Sequence, residues 1–438
     1  MTIAPSPVEL RPRPSSDRLA GWVAKALVQR ASDGRVVLVE DRSGRPLTPA
    51  SGPGRPDPAG TWTRRGLGPG GDLGPVEVHV HDPAAYRLVL AQGSVGLGRS
   101  YVAGLWDTPD LVGLLRLATR HLPRPGGLVD RLGASVSALR GTGARTAHDR
   151  EQDRAYVQSH YDLSDDLFSL FLDSTLSYSC AYFERPDMSL TEASVTKMDR
   201  ICTKLALEPG DELLEIGTGW GSFAIHAASR YGARVTTTTI SDNQFHTARR
   251  RVAEAGVADM VTVLDKDYRD LKGSWDKLVS VEMIEAVGWR QHDTFFRTCS
   301  DLLRPHGVMA LQAIVIDDRL YRRARRKDDF VKAMIYPGST IPSVRSIRRS
   351  VSAVTDLETI DVEDIGAHYA TTLTRWRLRF LENRSAIAAL GYDEAFLRLW
   401  DLYLAYCQAG FLERRISDVQ MVLAKPGASP SPPPGDGP

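Results

Sequence analysis

The chain has 438 residues, 42% of them hydrophobic and 25% charged, which is room for two or three domains with a sizeable core. Its 55 basic and 54 acidic side chains leave a net charge of +1, which excludes a protein built to coat nucleic acid. No apolar run nears the ~18 residues of a membrane helix, the N-terminus lacks an apolar signal core, and the four cysteines have no zinc spacing. The expectation is a reduced, cytoplasmic chain without a metal site.

In chain order, residues 1–16 carry four prolines and read as disordered. Helical patterns at Leu19–Ala31 and Pro109–His121 flank strand-like runs at Val36–Glu40 and Val76–His81, with a Gly/Pro-rich loop over 50–75. Together they predict a small α+β domain over 17–135, followed by a polar linker over 136–154. The texture then changes. Strands are expected at Glu212–Ile216, Arg234–Ile240, Val261–Leu264, Trp275–Val281 and Val308–Ile316, and helices at Ser222–Tyr231, Gln244–Ala255 and His292–Leu303. Strands separated by helices of this length require crossovers, and therefore an α/β domain, 155–425, with a mostly parallel sheet. Residues 317–420 read as largely helical, and 426–438 as a disordered tail.

The strongest local signal is LLEIGTGWG (213–221), a strand running into a glycine turn that opens a helix. Gly217, Gly219 and Gly221 permit positive φ and let the backbone approach a ligand closely. The spacing is GxGxG and not the dinucleotide GxGxxG. It resembles the first motif of S-adenosylmethionine-dependent methyltransferases, with Glu215 at the strand end; a purely structural αβ turn is the alternative. The second strand ends TTISDNQ (238–244) without the usual ribose-binding acid, and leaves Gln244 to offer a donor and an acceptor. Asp267 and Tyr268 follow the third strand, where they would meet the adenine edge and face; Asp267 reads equally well as a surface acid.

Taken with HYDLSDDLF (160–168), YSCAYF (178–183), DYRDL (267–271), VSVEMIEAVG (279–288), YPGSTIPS (336–343) and YATTLTRW (369–376), these blocks resemble the cyclopropane-fatty-acyl-phospholipid synthase family. The likeness covers about 156–423, with a weaker match at VGLGRSY (95–101) and GLW (104–106). It implies a Rossmann-like class I methyltransferase fold with a seven-stranded sheet and helical insertions. It also implies methyl transfer from S-adenosylmethionine to a cis double bond in a phospholipid acyl chain. Cofactor contacts from Tyr178, Ser179, Thr218, Thr239 and Ser241 are implied alongside the residues above.

In that family the base that removes the final proton is a bound bicarbonate ion. Its ligands carry over as the Cys180 and Ile314 backbones, Glu285 and Tyr369, with Gln312 where a histidine is usual. Gln312 can donate to an anion but cannot relay a proton. Cys180 is also readable as a small buried hydrophobe. The MIEAVG and LQAI variants look like the subfamily that includes both plant cyclopropane synthases and actinobacterial enzymes making 10-methyl-branched acids, so loss of the histidine does not exclude a cyclopropane. With Gln312 in its place and the likeness to the actinobacterial members, a 10-methylene product is expected, with cyclopropane as the alternative. A reductase partner would then follow.

Six cations in Arg319–Lys327 offer a means of docking on an anionic membrane surface at the inner face of the cell. Phe330, Tyr336, Trp376, Phe380, Trp400 and Tyr403 read as acyl-tunnel wall or simple core. A homodimer is left open. The competing readings are a small-molecule N- or O-methyltransferase, which the YSCAY and MIEAVG blocks disfavour, and a non-catalytic lipid-binding module.

Overall fold

In the computed structural model, which describes residues 21, 35–40, 73–121 and 163–428, the N-terminal strand runs pair with one another. β1 (Val36–Glu40) lies parallel to β2 (Val76–Val80), and the short β3 (Trp106–Asp107) is antiparallel to β2. In VEVHV, Val76, Val78 and Val80 turn inward and the residues between them do not, as a two-residue period requires. Helices α1 (Ala84–Gln92), α2 (Ser94–Val102) and α3 (Leu111–His121) belong to the same unit. The helix expected at Leu19–Ala31 lies outside the described residues except for Gly21, and the linker expected at 136–154 lies wholly outside them.

The second unit begins with α4 (Asp165–Phe171) and α5 (Leu190–Lys204), the latter started by a Ser189–Glu192 capping box. Strands and helices then alternate: β4 (Glu212–Ile216), α6 (Ser222–Tyr231), β5 (Arg234–Thr239), α7 (Asp242–Glu254), β6 (Val261–Asp265), β7 (Trp275–Val281), α8 (His292–Asp301) and β8 (Leu303–Ile316). After them come α9 (Asp318–Ala324), α10 (Phe330–Met334), α11 (Val344–Val354), β9 (Glu358–Asp364), α12 (Gly366–Glu382), α13 (Arg384–Ala389), α14 (Glu394–Leu412) and β10 (Ile416–Ala424).

These strands form one seven-stranded sheet in the order β6-β5-β4-β7-β8-β10-β9. Only β10 runs against its neighbours. The chain leaves β4 towards β5 and β6, then returns to β7 on the other side. That reversal opens a crevice at the strands' carboxyl ends, which is where α/β sheets bind ligands.

The largely helical reading of 317–420 is corrected at both strands. β9 is an edge strand whose ETIDVED stays exposed or half-buried, so it carries no apolar alternation to read. Its acids are paired instead: Glu363 with Arg200 at 2.6 Å and Lys204 at 2.7 Å. β10 buries Asp418 and Gln420 in the sheet, and these interrupt its apolar run. The tail expected from 426 opens with a turn, the Ala428 amide donating to the Lys425 carbonyl; the tail beyond residue 428 lies outside the described residues.

Among the described residues, the apolar side chains of the N-terminal unit are continuous with those of the second unit. Tyr101, Trp106, Leu111 and Leu115 belong to one apolar cluster with Phe168, Trp376, Trp400 and Leu404. Glu413 accepts from Arg116 and Arg120 at 2.7 and 2.6 Å, and Arg398 donates to the Tyr101 carbonyl at 2.6 Å.

Candidate active site

The glycine turn after β4 forms the floor of a cavity at the crevice. Gly219 sits at φ +52°, and a Cβ built on it meets nothing within 4 Å: it would project into open space. Gly221 works differently. It caps α6 at φ +83°, and its added Cβ would press on Ala248 of α7 at 3.3 Å, so this glycine sets helix packing and lies outside the cavity lining. Two side chains lock the turn in place. Asp165, at the start of α4, accepts from the Trp220 indole and Asn243 at 2.7 Å each and from Thr247 at 2.5 Å. Arg251 of α7 donates to the Trp220 carbonyl at 2.7 Å.

The walls hold most of the residues expected to meet the cofactor. Tyr178 and Ser179 line one side, Thr218 and Thr239 stand near the turn, and Asp267 and Tyr268 close the far end. Gln244 also lines the cavity and accepts from the Thr239 hydroxyl at 2.9 Å. Ser241 does not reach it, because its hydroxyl caps α7 at the Gln244 amide. Asp267 is bound to the Arg269 guanidinium at 2.6 Å. Glu215 is buried at the floor and accepts from Thr237 at 2.6 Å; burial pushes its carboxyl up to about 8. The cradle that a Cβ on Gly219 would enter, lined by an acid, an amide and an aromatic residue, fits a cofactor that carries an amino acid and a nucleoside.

Behind this cavity lies a buried acid cluster, and here the arrangement differs from the expected one. The Cys180 amide donates to Glu282 Oε1 at 2.7 Å, the Gln312 side-chain amide donates to the same oxygen at 2.8 Å, and the Tyr369 hydroxyl donates to Oε2 at 2.6 Å. The Ile314 amide donates to Glu285. All five residues expected to hold a bicarbonate ion are therefore together, but their donors converge on two glutamates of the chain itself. The donor set does not fit a free bicarbonate, because the Glu282 carboxylate already satisfies three of its groups.

Glu282 stands one residue past β7 at φ +49°, a region that costs a non-glycine residue about 1–3 kcal/mol. That bend turns its side chain inward, and it lines the cavity beside Met283. Burial pushes its carboxyl up, while the Tyr369, Cys180 and Gln312 donors and the charge of Lys197 pull it down. Asp418 of β10 lies next to it, and burial beside Glu282 and Glu285 holds this carboxyl well above the usual range. One Asp418 oxygen accepts from Gln312 at 3.1 Å and the other has no acceptor role filled. Glu282 collects three donors and Asp418 one, which favours the ionised form on Glu282 and the protonated form on Asp418. Burial and the Glu282 charge raise Glu285 to about 8.

Sequence reasoning passed over Glu282, Asp418 and Lys197. Lys197 is buried on α5, donates to Ser179 at 2.9 Å, and supplies the cluster's positive charge; burial lowers its own pKa. The aromatics named for the acyl tunnel pack mainly against other aromatic rings of the core. Phe171 meets Trp376, Phe380 and Trp400 edge-on at 6.2–6.4 Å, while Tyr178 reaches Tyr403 through a hydroxyl contact of 3.2 Å. Phe330, Trp376, Phe380 and Trp400 lie outside the lining of the cofactor cavity. No helix among the described residues is long and apolar enough to cross a membrane.

Comparison with known proteins adds the chemistry. The profile of the mycolic acid cyclopropane synthetase family matches residues 148–421. The chain is 39% identical over 362 residues to the tuberculostearic acid methyltransferase UfaA1 of Mycobacterium tuberculosis, covering 80% of this chain and 83% of that one. It is 36% identical to the cyclopropane-fatty-acyl-phospholipid synthase of Escherichia coli K12, covering 80% and 88%. Among solved structures, mycolic acid cyclopropane synthase CmaA1 complexed with SAH and CTAB superposes with a TM-score of 0.58 at 34% identity, over 62% of this chain and 98% of that one.

Proposed function

Because this chain belongs to the mycolic acid cyclopropane synthetase family, we propose that it methylates the cis double bond of an oleoyl-type phospholipid acyl chain and leaves a 10-methylene branch. Its membership makes it an S-adenosylmethionine-dependent enzyme of class I methyltransferase fold that modifies fatty acyl chains. The observation that supports methyl transfer followed by proton removal at one site is that Glu282, a member of the acid cluster, also lines the cavity over the glycine turn.

The cofactor supplies a methyl group made electrophilic by its sulfonium. The chain's own contribution is placement. Gly219, Gln244, Asp267 and Tyr268 would hold the cofactor, and Tyr178 stands between the cofactor cavity and the aromatic core. An isolated alkene is a weak nucleophile, so alignment at close range in a dry site provides much of the acceleration. The cation left on the acyl chain needs nearby aromatic faces and negative charge, here Tyr178 and the acid cluster. A base then removes a proton. Loss directly from the new methyl closes a cyclopropane ring, whereas a prior hydride shift leads to an exocyclic methylene. Gln312 donates to the cluster but cannot take up a proton, and the 39% identity to a tuberculostearic acid methyltransferase favours the methylene outcome. A reductase acting next would give a 10-methyl chain.

Expression in a bacterial host that lacks both lipids, without a reductase, should accumulate a methylene-branched C19 chain detectable by mass spectrometry. Cyclopropane chains alone would replace the product assignment and leave the methyltransferase standing. A non-catalytic lipid-binding module predicts no heat of S-adenosylmethionine binding in calorimetry.

The basic cluster supports an inner-leaflet location. It follows β8, the strand that carries Gln312 and Ile314, and Arg322, Arg323, Arg326 and Lys327 are exposed on or just past α9. Arg325 differs, since its guanidinium covers the Trp289 ring at 4.4 Å. Each exposed cation near an anionic leaflet contributes roughly 1 kcal/mol, screened within ~10 Å at 0.1 M salt. Changing Arg322, Arg323, Arg326 and Lys327 to Ser should cut sedimentation with anionic vesicles by about tenfold or more, leave the melting temperature nearly unchanged, and abolish the salt dependence. Unaltered vesicle binding would rule the cluster out.

A further inference from the structure

The geometry points to Glu282 as a built-in base: its carboxylate occupies the seat of an external anion and accepts the proton that ends the reaction. This rests on the lipid-methylation reading above and deepens it. Three observations carry it. The first is the donor set. The Cys180 amide, the Gln312 side-chain amide and the Tyr369 hydroxyl converge from three separate segments on one carboxylate, at 2.6–2.8 Å. The second is position. Glu282 lines the cofactor cavity, where the reacting carbons must lie, whereas Glu285, Tyr369, Cys180 and Gln312 stand outside that lining. The third is strain. A glutamate is held at φ +49° immediately after a central strand, where glycine would sit without cost, so the fold bears a penalty to aim this side chain inward.

The step balances without any species from solution. The alkene π pair bonds to the methyl carbon, and the sulfur–carbon pair stays on sulfur as a neutral thioether. The acyl chain is then a cation. A C–H bond of the new methyl gives its proton to Glu282, and that electron pair closes the exocyclic double bond or the ring. Glu282 becomes a carboxylic acid and returns its proton to water when product leaves. The three donors keep the carboxylate oriented throughout, and protonated Asp418 beside it keeps the cluster from carrying a second charge.

The test uses the full chain with oleoyl-phospholipid vesicles in carbonate-depleted buffer, with and without added bicarbonate. Wild-type turnover is expected to be the same in both. Glu282→Gln, which keeps the shape and one acceptor oxygen, should lose at least ~100-fold in turnover while retaining cofactor affinity, as expected for loss of a general base. Glu282→Gly relieves the backbone strain and vacates the anion seat, so it should be nearly inactive without bicarbonate and recover at least tenfold with it. A wild-type enzyme that stalls in carbonate-depleted buffer, or a Glu282→Gln variant within threefold of wild type, overturns the assignment and leaves a merely structural acid. Carbon-13 NMR of bicarbonate separates this result from failure of the lipid reading, since it needs no turnover. Binding to Glu282→Gly but not to wild type supports the occupied seat even if another acceptor proves to be the substrate. Binding to wild type refutes it.

Discussion

Gly219→Val should abolish S-adenosylmethionine binding in a chain that still folds. The space above Gly219 is empty of protein, so the added side chain meets no neighbour and destroys no packing. It instead fills the cradle the cofactor must enter. A branched side chain at φ +52° is also strained, which shifts the turn away from its binding geometry. Together these should weaken binding by at least ~100-fold, equivalent to about 2.8 kcal/mol. Calorimetry on a variant with a native circular dichroism spectrum decides it, and wild-type affinity there would move the cofactor elsewhere. Gly219→Ala, with a single methyl, should fall between the two.

Cofactor-free protein should lose stability as pH rises from about 4.5 to about 8, and Glu285→Gln should flatten that loss. Glu215 is buried and Glu285 partly so, and both carboxyls are raised from 4.5 to about 8, chiefly by burial. Between those values the folded chain holds protons that the unfolded chain has released. The contribution is therefore complete below the unfolded pKa and disappears as pH climbs to the folded one. Each such group contributes a slope of up to about 1.4 kcal/mol per pH unit. Asp418 acts in the same sense. Urea unfolding at pH 5, 6, 7 and 8 should show the Glu285→Gln and wild-type curves diverging with pH, the variant gaining. Parallel curves would mean that Glu285 is ionised in the folded state.

Much of the frame was legible in the sequence, for physical reasons. A parallel strand covered on both faces reads as a near-continuous apolar run, as in ELLEI, where Leu213, Leu214 and Ile216 are buried and Glu215 alone interrupts them. An amphipathic helix such as FFRTCSD declares its face by spacing. The glycine turn was legible because backbone geometry there permits little else. The acid cluster was not. Whether a glutamate after a strand points to water or inward depends on a single backbone angle, and VEMIE carries two glutamates without saying which one turns. Lys197 sits mid-helix among residues that would pass for a solvated face; its burial is imposed by Ser179 and the acids around it, all far away in sequence. Asp418 acquires its role only through register, lying opposite Ile314 across β8 and β10.

That register has a consequence for how the protein comes off the ribosome. β10 is inserted between β8 and β9, yet it is the last of the seven strands to be synthesised. Until it emerges, β8 presents an open edge and β9 has no partner in the sheet, so the nascent domain carries the kind of unpaired strand that recruits chaperones or other chains. The acid cluster is likewise incomplete until β10 docks, because Asp418 and Gln420 are carried on that strand. Assembly of the acid cluster thus coincides with insertion of the last strand between β8 and β9.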